Sequence, residues 1–155
     1  MFRNKHLIVA MLIAPVLAIT AWFAIDYFVA ERPHAAKEGA AYTLIAKSNC
    51  RYDSGQCDLE NGEFKLSIRP TSVTADYVRL EITSAFPLQS ATVGLVNDGD
   101  RATPSPMEPT TEEALRWNTR IDRPNGGNST ILIAVMAQRA TWYAEIPTVF
   151  LEGVE

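Results

Sequence analysis

Residues 78–83 read VRLEIT, and this segment indicates the class of fold. Its apolar side chains alternate with polar ones, which is the two-residue period of a β-strand with one buried face. Residues 64–69 (FKLSIR) repeat the pattern upstream, and residues 115–122 (LRWNTRID) repeat it downstream. These segments predict sheets with one face in a core and the other in water.

Four further segments complete about seven predicted strands. Residues 42–47, 91–97 and 141–146 are short and rich in apolar or β-forming side chains. Residues 131–137 (ILIAVMA) are apolar without alternation, which predicts a central strand covered on both sides. Seven short strands at this spacing favour an all-β fold, an immunoglobulin-like β-sandwich.

Turn-forming residues separate the predicted strands. Asn61-Gly62 precedes one strand, and residues 124–127 (PNGG) predict a hairpin that joins 115–122 to 131–137. Residues 103–110 (TPSPMEPT) hold three prolines and predict a stiff, extended loop outside the sheet, with Met107 exposed. Residues 110–115 (TTEEAL) are the one candidate for a helical turn.

The N-terminal region carries a long apolar run. Residues 7–25 contain no charge and, as a helix, are about 28 Å long, close to the roughly 30 Å hydrocarbon core of a bilayer. We expect a transmembrane helix that meets the bilayer through residues 7–30. A cleaved signal peptide is the alternative, although its apolar region is normally about 7–15 residues long and no clean cleavage site follows.

Positive charge precedes this run at Arg3 and Lys5, so the positive-inside rule predicts an N-terminus in the cytoplasm. We therefore expect a single-pass protein of the bacterial inner (cytoplasmic) membrane with its domain in the periplasm. The predicted division is a cytoplasmic tip and anchor over 1–30, a linker over 31–40, and an extracytoplasmic domain over 41–155.

Small side chains recur along the predicted helix at Ala10, Ala14 and Ala18. The four-residue spacing places them on one face, where close approach of another helix is allowed. Alanine is also common in membrane helices without any such role. These residues are candidate partner contacts.

The charge distribution argues against nucleic acid as a partner. The chain has a formal net charge of −4, and the acidic excess lies beyond residue 39. Nucleic-acid binding depends on neutralising phosphates with basic side chains. We expect no nucleic-acid partner.

Cys50 and Cys57 are the two cysteines, and they flank a polar segment. Outside the cytoplasm the expected outcome is a disulfide. A redox pair normally has two intervening residues, and a thiolate metal site needs further ligands, whereas His34 lies in the linker. A structural disulfide is favoured, with the redox pair and the metal site as alternatives.

We predict no enzyme, because residues 41–155 contain no histidine to act as a general base. Acidic residues crowd positions 53–63, where paired carboxylates are one interpretation and a solvated acidic loop the favoured one. No catalytic residue, cofactor or metal site is predicted. Core packing is expected for Trp117 and Trp142, with a binding platform as the alternative. Met107 and Trp117 are candidate partner contacts.

Three segments together resemble the FixH and YtkA-like group of membrane-anchored periplasmic β-sandwich proteins. They are the apolar strand 91–96, the proline-methionine segment 104–110 (PSPMEPT) and the strand 115–121 (LRWNTRI). That resemblance implies a role in oxidase assembly or copper handling. The group tends to carry several methionines or a histidine in the loop, whereas Met107 stands alone here.

Two functional hypotheses follow. The first is a non-enzymatic accessory or assembly factor that binds an integral membrane protein complex, such as a respiratory complex, through protein–protein contacts. The second is a periplasmic small-molecule or copper carrier.

Overall fold

A long helix and a two-sheet domain make up residues 4–29, 36–126 and 128–154, which are the residues that this computed structural model describes. The chain divides into two units, residues 1–33 and residues 34–155. Arg3, Ala30 of the predicted anchor, residues 31–35 of the predicted linker and Gly127 of the predicted turn lie outside the described residues.

The first unit contains helix α1 (Lys5–Val29), with Pro15 inside it. The side chains of residues 5–27 are exposed in this unit, and the helix is long and apolar enough to cross a membrane. A proline in the helix interior removes one backbone donor, a loss that membrane helices tolerate. Helix α1 is therefore an apolar N-terminal helix that suits either a membrane anchor or a signal sequence.

The second unit is a sandwich of two sheets. Sheet A contains, in spatial order, β1 (Ala41–Thr43), β11 (Ala140–Pro147), β10 (Thr130–Ala137), β6 (Leu88–Val96) and β7 (Thr103–Pro106). Sheet B contains β2 (Ile45–Ala46), β3 (Cys57–Asn61), β4 (Phe64–Val73), β5 (Tyr77–Ser84), β9 (Arg116–Asp122) and β8 (Glu108–Pro109). Two short 3₁₀ turns span Ser48–Arg51 and Val149–Leu151.

The strand order confirms the immunoglobulin-like prediction. Strands β4-β5-β9-β8 occupy the places of A-B-E-D in an immunoglobulin sheet, and β11-β10-β6 those of G-F-C. The parallel pairing of β1 with the last strand, β11, adds a further edge. More than seven strands form because the first predicted segment divides between the two sheets, β3 is an additional strand, and residues 103–110, predicted as a loop, form β7 and β8.

The predicted alternation places the core between the sheets. Val78, Leu80 and Ile82 of β5 are buried, as are Trp117 and Ile121 of the neighbouring strand β9. Because side chains alternate across a strand, the intervening polar residues face solvent. The prediction of half-buried strands is confirmed for these segments.

A column of aromatic rings closes one part of the core. The Trp142 ring stacks on Phe64 with centroids 4.4 Å apart and on Tyr42 with centroids 4.7 Å apart. Phe64 also stacks with Phe86, at 6.2 Å. Trp142 belongs to sheet A and Phe64 to sheet B, so the column joins the two sheets.

Two predictions about chain connection were wrong. Residues 124–127 do not close a hairpin, because β9 pairs with β5 and β8 in sheet B, while β10 pairs with β11 and β6 in sheet A. The connection between them therefore crosses from one sheet to the other. Residues 110–115 form a hydrogen-bonded turn, in which the Ala114 N–H donates to Thr111 O, and no helix.

The described part of the predicted linker also differs from expectation. Ala36 packs against the core, and the Lys37 N–H donates to the Tyr42 hydroxyl at 3.0 Å. The Gly39 N–H donates to Arg139 O at 2.8 Å. Residues 36–40 therefore belong to the domain, because backbone and side-chain contacts fix them to β1 and to the turn before β11.

Candidate functional site

The disulfide prediction is confirmed: Cys50 and Cys57 are bonded to each other, and both side chains are fully buried. The intervening loop is held to the C-terminal turn, since the Gly55 N–H donates to Phe150 O at 3.0 Å. Gly153 lies so close to Asp53 O that a Cβ there would collide with it. The buried sulfurs and packed loop give this bond a structural role.

Asp58 lies immediately after Cys57 and fixes the same loop. Its carboxylate accepts hydrogen bonds from Gln56, Ser67 and Asn49 at 2.7–2.8 Å. Burial acts to raise the pKa of Asp58, but these three hydrogen bonds and the nearby Lys47 outweigh it and hold the pKa below its ordinary value. The carboxylate is thus used by the fold.

The remaining acidic residues of this region do not assemble into a carboxylate pair. Glu60 forms an ion pair with Lys47 at 2.8 Å, and the hydrogen bond between them raises the pKa of Lys47. Asp53 and Glu63 are exposed. Among the described residues, no group of three or more histidine, cysteine or acidic side chains is placed to hold a metal ion.

The two candidate contact residues of the domain are in the core. Met107 was predicted to be exposed, but its side chain is 5% exposed, so that prediction was wrong. The residue lies between β7 and β8, where the chain leaves sheet A and joins sheet B. Trp117 is 7% exposed, and its indole N–H donates to Ala114 O at 2.8 Å. Neither side chain offers a surface to a partner.

The proline-rich segment around Met107 also forms strands instead of a free loop. Pro104 and Pro106 lie in β7 at the edge of sheet A, opposite Gly94 and Thr92 of β6. Proline is tolerated on an edge strand because its missing N–H faces away from the ladder. The missing proline donors also disfavour pairing of this edge with another chain.

The outer face of sheet B is densely charged. Arg69 and Glu81 form an ion pair at 2.6 Å across β4 and β5, beside the Lys47–Glu60 pair on the same face. The Arg120 guanidinium lies 4.2 Å from the centre of the Tyr77 ring. These groups mostly satisfy one another, as expected for a solvated face.

The outer face of sheet A has a different composition. Three rows of residues cross it: Thr43-Tyr143-Ala134-Thr92-Pro106, Ala41-Thr141-Met136-Ser90 and Glu145-Leu132-Gly94-Pro104. Glu145 is the one charged side chain in these three rows. Tyr143 is 45% exposed and Met136 is 42% exposed. We call these three rows the uncharged face.

The burial pattern of β10 corrects one prediction and explains why residues 131–137 are apolar without alternation. Residues 131–137 were expected to be covered on both sides, and β10 is indeed a central strand of sheet A. Its burial nevertheless alternates, with Ala134 and Met136 exposed. The apolar run thus marks a strand whose outer side the described chain leaves uncovered.

The helix places the other candidate contacts as the spacing predicts. Ala10, Ala14 and Ala18 lie on α1 at intervals of four residues, so they share one helical face. All three are exposed within their unit. Their predicted role in packing against another helix stays a prediction.

Fold and surfaces together define an immunoglobulin-like sandwich with one internal disulfide, preceded in sequence by an apolar helix. No protein-family model matches the chain, and no curated protein matches it significantly. One solved structure, a bromine derivative of the carbohydrate-binding module BhCBM56, is similar to part of it. The likeness covers 52% of this chain and 86% of that one, with 12% identity and a TM-score of 0.42.

Proposed function

We propose that the protein is a non-enzymatic, membrane-anchored accessory or assembly factor that docks on an integral membrane protein complex through the uncharged face. The anchor is retained, the N-terminus is cytoplasmic, and the domain lies in the periplasm of a bacterial inner membrane. A respiratory complex is the class of partner that the resemblance to the FixH and YtkA-like group suggests.

The observation that carries this proposal is the exposed side of β10. Leu132, Ala134 and Met136 are apolar and face away from the core, while the residues between them are buried. A strand that faces water on one side normally alternates with polar residues there. An apolar outer row on a central strand is expected where a partner covers it.

The distribution of charge over the two outer faces also favours the uncharged face as the docking surface. A charge that is removed from water without a partner is costly, and charged residues are depleted in the cores of interfaces. The uncharged face offers one carboxylate, on Glu145, whereas the outer face of sheet B carries several charges on adjacent strands. A complementary partner surface is therefore itself largely uncharged.

The uncharged face is smaller than a standard stable interface, but anchoring of both partners in one membrane compensates for the difference. The three long strands β6, β10 and β11, each about 26 Å or more in length and about 4.8 Å apart, together with the shorter β1 and β7, offer on the order of 500 Å². A standard stable interface buries roughly 800 Å² on each partner. Confinement of both proteins to one membrane raises their effective concentration and lowers the affinity that the face itself must supply.

A copper-carrier function has less support, because the predicted candidate ligands are not accessible to an ion. Met107 is buried between the sheets, and both cysteine sulfurs are joined in a buried disulfide. A cuprous ion needs accessible thioether or thiolate ligands. We therefore favour docking over copper transport.

A pair of charge insertions tests the proposal in native membranes. Ala134→Arg places a charge at the centre of the uncharged face, and Thr83→Arg places the same charge on the outer face of sheet B. Membranes that contain each full-length tagged variant are solubilised in mild detergent and separated by native size, and the intact mass of each purified variant is measured.

Wild type and Thr83→Arg are expected to migrate in an assembly larger than the free protein, with residues 1–30 present in the intact mass. Ala134→Arg is expected to migrate as the free protein while keeping wild-type thermal unfolding. Equal migration of Ala134→Arg and wild type would exclude this face, and a mass that lacks the helix would exclude the anchor.

A further inference from the structure

A polar cleft of about 330 Å³ opens at one edge of the sandwich, between β6 and β7 of sheet A and β9 of sheet B. Leu95 and Ile121 give it an apolar floor. Thr103 and Ser105 line one wall, and they alternate along β7 with the two prolines of the uncharged face. The cleft and the uncharged face are therefore separate surfaces.

The cleft carries equal numbers of opposite charges. Asp100 and Arg101 come from the loop between β6 and β7, while Arg120 and Asp122 come from β9. Within the described residues, the side chains of Asp100, Arg101 and Asp122 make no hydrogen bond or ion pair. These three side chains are therefore not used by the fold.

Local contacts hold the loop that contributes Asp100 and Arg101. The Asn97 side-chain oxygen accepts hydrogen bonds from Ser129 Oγ at 2.7 Å and from the Asn125 N–H at 3.2 Å. The Asp100 N–H closes a turn by donating to Asn97 O at 3.0 Å. The loop is thereby tied to the start of β10.

The opposite wall is also fixed. The Arg120 guanidinium is stacked on the Tyr77 ring, which restricts the long side chain without using its hydrogen-bond donors. Thr119 Oγ1 donates to Pro106 O at 3.1 Å and joins β9 to the end of β7. The backbone of the loop and the Arg120 side chain are therefore positioned before any ligand arrives, which lowers the entropic cost of binding.

We propose that this cleft binds the free zwitterion of an aliphatic amino acid. A guanidinium pairs with the ligand carboxylate, a cleft carboxylate pairs with the ligand ammonium, and the aliphatic side chain rests on Leu95 and Ile121. The volume lies at the lower end of the range for small-molecule pockets, roughly 300–1,000 Å³.

The balance of charges selects this class of ligand. A purely anionic ligand is attracted by the two guanidinium groups but repelled by the two carboxylates. A purely cationic ligand is attracted by the two carboxylates but repelled by the two guanidinium groups. An uncharged polyol leaves both signs without a counter-charge. A zwitterion supplies one partner of each sign.

Calorimetric titration of the full-length protein in detergent tests the proposal, with L-leucine as the probe. L-Leucine methyl ester lacks the carboxylate and N-acetyl-L-leucine lacks the ammonium group, so each removes one of the two charges. D-Glucose is the uncharged polar comparison. The same titrations are made on Arg101→Ala and Asp122→Asn, and on Asp98→Asn, which alters an exposed carboxylate of the same loop outside the cleft.

L-Leucine is expected to bind wild type and Asp98→Asn equally, and to bind Arg101→Ala and Asp122→Asn at least about tenfold more weakly. The ester should lose affinity for wild type and be less sensitive to Arg101→Ala than L-leucine is. Absence of L-leucine binding, binding of either derivative as tight as that of L-leucine, or tighter binding of D-glucose would each overturn the proposal. The titration does not involve the uncharged face, so docking and ligand binding can fail separately.

Discussion

Leu44 and Met107 occupy matching positions at the two edges of the sandwich. Leu44 lies between β1 of sheet A and β2 of sheet B, and Met107 lies between β7 of sheet A and β8 of sheet B. Both side chains are buried, at 4% and 5% exposure. At each edge, one segment of chain leaves sheet A, places an apolar side chain in the core, and joins sheet B.

This position predicts how Met107 responds to substitution. Met107→Leu conserves volume and should lower the free energy of unfolding by less than about 1.5 kcal/mol. Met107→Lys buries an unpaired charge and should cost about 3 kcal/mol or more. Denaturant unfolding of the two variants measures the difference. Equal stability of wild type and Met107→Lys would show that the side chain is not in the core.

The disulfide should be closed in the purified protein. Because both sulfurs are buried and bonded, thiol labelling of the denatured, unreduced protein is expected to modify neither Cys50 nor Cys57. Replacing both cysteines by alanine should lower stability by about 2.5 kcal/mol, the value that loop closure over this separation implies. Stoichiometric labelling of both thiols before reduction would contradict the assignment.

Asp58 should contribute stability that depends on pH. Its folded-state pKa lies below that of an unfolded aspartate, about 3.9, so the contribution is present above that value and is lost as pH falls through the folded pKa. Asp58→Asn should lower the free energy of unfolding by roughly 1 kcal/mol at pH 7, because an amide then replaces the carboxylate that accepts three hydrogen bonds. The difference from wild type should shrink as the pH falls from 6 to 3.

Unfolding curves at pH 7 and pH 3 measure the effect, with Asp53→Asn as the matched control. The Asp53 carboxylate is in the same loop but is exposed and makes no hydrogen bond within the described residues. The control should change stability little at either pH. A constant deficit for Asp58→Asn across this range would argue against a pH-linked role.

The turn between β10 and β11 offers a stabilising substitution. Gln138 and Arg139 both adopt positive φ, 53° and 59°, in a two-residue hairpin that is closed by Ala137 and Ala140. Asn-Gly suits this geometry much better. The double variant Gln138→Asn/Arg139→Gly should raise the free energy of unfolding by about 1 kcal/mol. Gly62→Ala, which puts a Cβ at a φ of 60°, should have the opposite sign, and a loss of stability in the double variant would refute the turn assignment.

Much of the sandwich could be predicted because its strands carry a local signal. The alternation in residues 64–69, 78–83 and 115–122 depends only on which side chains are buried, and the structure buries the expected ones. Strand β3 was missed because residues 57–61 (CDLEN) hold a single aliphatic side chain, Leu59. Cys57 indicated a disulfide, and its place at the start of a strand was not predicted.

The pairing of strands and the surfaces could not be predicted in the same way. The sequence between β9 and β10 contains good hairpin residues, but which strands pair is decided by long-range contacts between sheets. Prolines around Met107 indicated an exposed loop, because the sequence does not reveal that the segment forms two sheet edges. The polar cleft combines residues from β6, β7 and β9, which are separated in sequence and meet only in the fold.

Site-specific photocrosslinking from position 134 shows whether the uncharged face contacts an integral membrane protein. A photoreactive amino acid replaces Ala134, at the centre of the uncharged face, in the full-length protein in native membranes; the control carries it at Thr83 on sheet B. We expect a discrete adduct from position 134 with an integral membrane protein of different sequence, and none from position 83. No adduct from position 134, the same adduct from both positions, or an adduct with a second copy of this chain would contradict it.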